Sequence, residues 1–68
     1  MQNMNNQIEH QPLTQYIVEY RDRDGQWHAL RITEYRSRGF DNLEYFKRIQ
    51  PDDVHRLIER TIHDEVIG

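Results

Sequence analysis

Two stretches of this chain alternate apolar and polar positions with a period of two. In QYIVEYR, residues 15–21, Tyr16, Val18 and Tyr20 alternate with Ile17, Glu19 and Arg21. In WHALRITEY, residues 27–35, His28, Leu30 and Ile32 alternate with Trp27, Ala29, Arg31 and Thr33. That period belongs to strands with one buried face. Asp24-Gly25 between them is a turn signal, so residues 15–35 predict a β-hairpin.

Burial decides the register. A two-residue Asp24-Gly25 turn would pair Tyr20 with Ala29 and Val18 with Arg31, mixing apolar and charged sides. A three-residue loop, Arg23-Asp24-Gly25 with Gly25 left-handed, pairs Tyr20 with His28, Val18 with Leu30 and Tyr16 with Ile32. A single buried face pins the register, which favours the second arrangement. Trp27, the one tryptophan, then lies on the opposite face across from Arg21, with Arg31 further along.

Residues 35–40, YRSRGF, read as a turn around Gly39. The next segment, LEYFKRI, fits either period. As a strand it puts Leu43, Tyr45 and Ile49 on one face, Phe46 and Arg48 on the other. As a helix it would be capped by Asp41, with Glu44 closing a capping box. A third strand is preferred, because a lone hairpin is marginal in water. Gln50 also precedes Pro51, which biases it to extended geometry.

Residues 51–66 predict a helix. Pro51 suits its first position, and Asp52 and Asp53 complement the dipole. Val54, Leu57, Ile58, Thr61 and Ile62 recur at helical spacing. The expected fold is α+β: a small antiparallel sheet (hairpin 15–35, third strand 43–49) packed against one C-terminal amphipathic helix, 51–66. Residues 1–13, rich in Asn and Gln without apolar periodicity, are expected to be a disordered tail. Residues 14–68 form a single domain.

Composition narrows the function. Sixty-eight residues with 35% hydrophobic content bury a small core of marginal stability. The absence of cysteine removes disulfides and thiolate metal sites as supports. No basic–apolar leader opens the sequence and no apolar run could span a bilayer, so a soluble cytoplasmic protein is expected. The net charge is −3, whereas generic duplex-DNA binders carry a basic surplus.

No chemical motif stands out. His10, His28, His55 and His63 form no metal-binding pair, since His55 and His63 stand two helical turns apart. Ser37, the only serine, lacks the surroundings of a nucleophile. Gly25, Gly39 and Gly68 make no phosphate loop. No catalytic, cofactor-binding or metal-binding residue is assigned, and neither an enzyme nor a small-molecule site is expected.

The open sheet face offers arginines beside aromatics. These types anchor protein interfaces and also stack on single-stranded nucleic acid. With the RSR loop, the candidate partner-binding residues are Arg21, Trp27, Arg31, Arg36, Arg38, Phe46 and Arg48. The expected function is a small non-catalytic protein-binding module, a stoichiometric regulator or inhibitor such as an accessory protein of a phage or mobile element. Self-association as a homodimer is compatible with it. A nucleic-acid-binding module using the same face is the alternative.

YIVEYRDRDGQWHALRI resembles the first hairpin of the arm-type DNA-binding domain of tyrosine-recombinase integrases, where a similar turn joins two strands ahead of a third strand and a helix. The resemblance covers about a quarter of the chain. That family's second strand is strongly basic, whereas this one reads WHALRITEY, so no binding residue is carried over.

Overall fold

A computed structural model describes residues 13–68 of the chain. The tail expected over residues 1–13 lies outside them, Leu13 apart. The elements are β1 Gln15–Arg21, β2 Trp27–Thr33, α1 Arg36–Ile49, β3 Val54–Arg60 and β4 Asp64–Val66. The strands form one antiparallel sheet in the order β2-β1-β3-β4. Since β2 and β3 both run antiparallel to β1, α1 carries the chain across β1 from one side to the other.

The hairpin loop is the three-residue one. Gly25 has φ 85°, a conformation that costs glycine little and other residues more. The Asp22 amide donates to the Gln26 carbonyl at 2.8 Å and the Gly25 amide to the Asp22 carbonyl at 3.1 Å. Asp22 Oδ1 accepts from the amides of Asp24 and Gln26 at 2.8 and 2.9 Å.

Next to the loop, Tyr20 pairs with His28 and Arg21 with Trp27, as expected. Further along, a bulge intervenes. Glu19 pairs with Ala29 but Val18 with Arg31, leaving Leu30 as the extra residue. Beyond such a bulge every side chain changes face. The expected pairs Val18–Leu30 and Tyr16–Ile32 are therefore replaced by Val18–Arg31 and Tyr16–Thr33, with Ile17 opposite Ile32. Leu30 still packs against the core.

The fold is a small α+β unit, a sheet packed with one helix, but two segments exchange roles. The third strand expected over 43–49 is the second half of α1, and the helix expected over 51–66 is β3 and β4. Gly39, Leu43 and Phe46 are the buried residues of α1, at spacings of four and three that only a helix puts on one face. Gln50-Pro51-Asp52-Asp53 is a turn, closed by the Asp53 amide on the Gln50 carbonyl at 3.2 Å, with proline at the position where its fixed φ suits a turn. Leu57 and Ile58 are buried on opposite faces of β3. A strand buried on both faces loses its alternation and imitates a helix.

The core lies between α1 and the sheet: Tyr16, Val18, Leu43, Phe46 and Leu57, with Leu30 and Ile67 against them. Gly39 permits the close approach. A Cβ there would stand 2.8 Å from Tyr16 Cβ and 3.3 Å from Leu57 Cδ1. After β4, Ile67 donates to the Leu57 carbonyl and the Gly68 carbonyl accepts from the Leu57 amide, each at 2.8 Å. Among the described residues, no helix is long and apolar enough to cross a membrane.

Candidate functional site

The residues expected on one sheet face divide between two surfaces. Arg21 and Trp27 stay on the face away from α1, where their register sets them. Arg31 moves to the helix side through the bulge. Arg36, Arg38 and Arg48 belong to α1. Phe46, expected on the open face, is instead a core residue only 8% exposed, which supports the helix from beneath.

Trp27 is half-buried and already has a cover. The Arg56 guanidinium, from β3, lies 3.9 Å from the Trp27 ring centroid. Its Nε donates to Glu19 Oε1 at 2.8 Å. Cation–π contact with a partly desolvated arginine is favourable, and the carboxylate fixes the guanidinium in place. The register brings Arg56 there, since it pairs with Glu19, which in turn pairs with Ala29, two residues from Trp27.

The helix side gathers the other arginines around Tyr45. Arg31 Cζ lies 5.5 Å from the Tyr45 ring centroid and 5.1 Å from that of Phe46. Arg48 Cζ lies 5.8 Å from the Tyr45 ring. Arg38, Tyr45 and Ile49 stand seven and four residues apart and share this flank of α1, the one beside β2. Arg38, Tyr45, Arg48 and Ile49 are exposed. Among the described residues, no carboxylate comes within 4.0 Å of Arg31, Arg38 or Arg48, in contrast to Arg36, Arg56 and Arg60.

Arg36 lies on the other flank. It donates to Glu59 Oε2 at 3.3 Å and sits 5.5 Å from the Phe40 ring centroid. Glu59 also accepts from the Tyr16 hydroxyl at 3.1 Å. Arg36 is thus a clasp between helix and sheet.

The hairpin tip and the turn at 51–53 enclose an open cleft lined by Arg21, Asp22, Arg23, Asp24, Asp52 and Asp53. Asp22 is held below its ordinary carboxylate range, chiefly by the His28 ring, whose Nε2 is 2.6 Å from Oδ2, and by the Gln26 amide. This carboxylate is spent on closing the loop. Among the described residues, no three His, Asp or Glu side chains converge to hold a metal ion.

Tyr45 and Arg56 are the residues the sequence reading missed. Tyr45 would have emerged had residues 36–49 been read as a helix. Arg56 depended on a pairing between distant strands. The order hairpin, helix, strand also departs from the hairpin, strand, helix order that the integrase resemblance implied. No known protein family, curated protein or solved structure matches the chain.

Proposed function

We propose that this chain is a small non-catalytic protein-binding module that acts as a stoichiometric regulator or inhibitor of a partner protein. It docks through the β2-side flank of α1 onto an acidic surface of that partner. The observation that carries this reading is the exposed Tyr45 ring with Arg31 and Arg48 both within 6 Å of its centroid, two arginines without a carboxylate in reach among the described residues. Tyrosine and arginine are the residue types that dominate interface energetics. Unpaired guanidinium groups attract a partner of opposite sign and repel others. Arg38 and Ile49 extend the patch, one adding charge and the other apolar area. An accessory protein of a phage or mobile element is one setting for such a miniature regulator.

The test is capture of a partner on the wild-type chain, followed by calorimetric titration of the purified pair. Saturable binding near one to one, lost in the Arg31→Glu/Arg48→Glu double variant, is the expected result. Retention of binding by that variant would move the site elsewhere. The second reading is a nucleic-acid module, favoured by the same grouping of an exposed tyrosine with two arginines. Oligonucleotide binding that weakens steeply with salt and is lost in the same variant would establish it in place of the first.

A further inference from the structure

The chain makes two β-hairpins, and only one has turn chemistry at its tip. Asp24-Gly25 joins β1 to β2, with Gly25 at φ 85° and Asp22 Oδ1 accepting from two loop amides. β3 and β4 are joined by Thr61-Ile62-His63. That tip holds no Gly, Pro, Asn, Asp or Ser, the residues that supply turns. Thr and Ile, both β-branched, favour extended backbone instead. The bond across the tip, from the Thr61 amide to the His63 carbonyl, is long at 3.4 Å. Ile62 at the apex is 81% exposed, the highest value of any large apolar side chain among the described residues.

The segment beyond this tip is lightly held. β4 spans only Asp64–Val66, is exposed throughout, and among the elements packs on β3 alone. Arg60 grips Asp64 with two bonds, Nε to Oδ1 at 2.7 Å and a terminal nitrogen to Oδ2 at 2.9 Å. Ile67 and Gly68 bond to the backbone of Leu57, and Ile67 packs against the core. These anchors join residues 64–68 to the body of the domain. None of them involves the tip.

The register carries the inference. β3 and β4 pair as Ile58–Val66, Glu59–Glu65 and Arg60–Asp64, a ladder centred on Ile62. Such a ladder can be made by one chain folded back at Ile62. It can equally be made by two chains lying antiparallel across a two-fold axis at Ile62. We infer that two copies of this chain exchange residues 64–68 in the second way. Thr61-Ile62-His63 straightens, and one strand runs unbroken from Val54 to Val66. Each copy sets Val66 against the other copy's Ile58 and Asp64 against the other copy's Arg60, and places Ile67 against the other copy's core.

Every pair of the single chain is kept and made twice, as a two-fold exchange requires. Two contacts are added. Thr61 meets the other copy's His63, and Ile62 meets the other copy's Ile62 on the axis, at the short separation of directly opposed residues. The most exposed apolar side chain gains a cover, and the tip regains the extended backbone that its residues favour. Short hinge loops invite such exchange. β2, the strand beside the Tyr45 flank, lies at the opposite edge of the sheet from β4, so that flank stays clear of the exchanged segment.

Sedimentation velocity of the full chain, refolded from urea at high and at low protein concentration, tests this. The wild type should hold a dimer fraction that grows with the concentration during refolding. Ile62→Asp/His63→Gly gives this tip the Asp-Gly of the first hairpin. It should keep the monomer's far-UV circular dichroism and raise the dissociation constant at least about tenfold, because the turn is then favoured over the straight strand. A charge exchange separates this dimer from any surface association. Arg60→Asp sets two acids opposite each other within one chain, and Asp64→Arg sets two arginines there. Like charges directly opposed are destabilising, so neither variant should associate alone. Refolded together, the two should form a mixed dimer in which both copies of that pair are of opposite sign, at least about tenfold tighter than either homodimer. Association of unexchanged chains leaves each like-charged pair in place. A wild type that is monomeric under both refolding conditions would overturn the proposal. So would a mixture no more associated than its two components, or an Ile62→Asp/His63→Gly variant as dimeric as the wild type.

Discussion

Arg56 lies over Trp27 across an intervening strand, its guanidinium carbon 3.9 Å from the ring centroid. The two residues come from β3 and β2, and between them Glu19 of β1 accepts the Arg56 Nε–H at 2.8 Å. One arginine therefore ties three strands together on the face that the helix leaves uncovered.

Removing that arginine strands Glu19, which is 8% exposed. Arg56→Leu is expected to cost about 2–3 kcal/mol in urea unfolding at dilute protein, because the carboxylate loses its partner while staying buried. The double change Glu19→Leu/Arg56→Leu removes the stranded charge as well and should be less destabilised than Arg56→Leu alone. Trp27 emission should shift to longer wavelength in both, as the indole loses its cover. A double variant weaker than the single would contradict this account of Glu19.

Gly39 and Gly25 should fail for different reasons. Gly39→Ala gains up to about 1 kcal/mol of helix propensity, yet its Cβ would meet Tyr16 Cβ at 2.8 Å. Overpacking of that kind costs about 1–3 kcal/mol, so net destabilisation is expected. Gly25→Ala meets no comparable obstacle, the nearest atoms being the flexible end of Arg21. Its φ of 85° should still make it unfavourable by about 1 kcal/mol. Thermal unfolding of the two variants measures both. A stabilised Gly39→Ala would mean that α1 can lift off the sheet without loss.

The hairpin could be read from the sequence down to its loop length, because local turn chemistry and one-sided burial agree there. So could the placement of Trp27 away from the core. The exchange of helix and strand after residue 35 could not. Leu43, Phe46 and Ile49 satisfy both periods, and Leu57-Ile58 hides its alternation because both neighbours are buried. Gly39 is read locally as a turn, whereas its role is set by Tyr16 and Leu57, residues 23 and 18 positions away. The bulge at Leu30 left no local mark either. It moved Arg31 to the helix side and Ile32 to the open face, and thereby redrew the candidate site.

Acid should loosen the hairpin through Asp22. Its carboxyl sits below the ordinary value because the His28 ring and the amides of Gln26 and Asp24 favour the charged form. A group depressed in the folded state adds stability that is complete above its unfolded value. That stability is lost as pH falls through the folded one. The loss should therefore appear below about pH 4. Asp22→Asn keeps an oxygen for the two amides but no charge for His28, and should flatten this acid limb. Amide hydrogen exchange at Asp24 and Gln26 across the acid range measures it. An unchanged pH dependence in Asp22→Asn would assign the limb to another carboxyl.

Tyr45 and Phe46 are sequence neighbours with opposite roles, and their alanine variants should separate stability from binding. Phe46 is a core residue beneath Arg31, and Phe46→Ala is expected to cost about 3–5 kcal/mol, with any loss of binding following from unfolding. Tyr45 is 39% exposed, packs edge-on against Phe46 at 5.1 Å between centroids, and has Arg31 and Arg48 near its ring. Tyr45→Ala should cost about 1 kcal/mol, the scale of one aromatic pair. It should nevertheless remove most of the affinity for the proposed acidic partner, because Arg31 and Arg48 lose the ring they pack against. Paired urea melts and calorimetric titrations of the two variants decide the matter. Full affinity in a folded Tyr45→Ala would take the site off this flank of the helix.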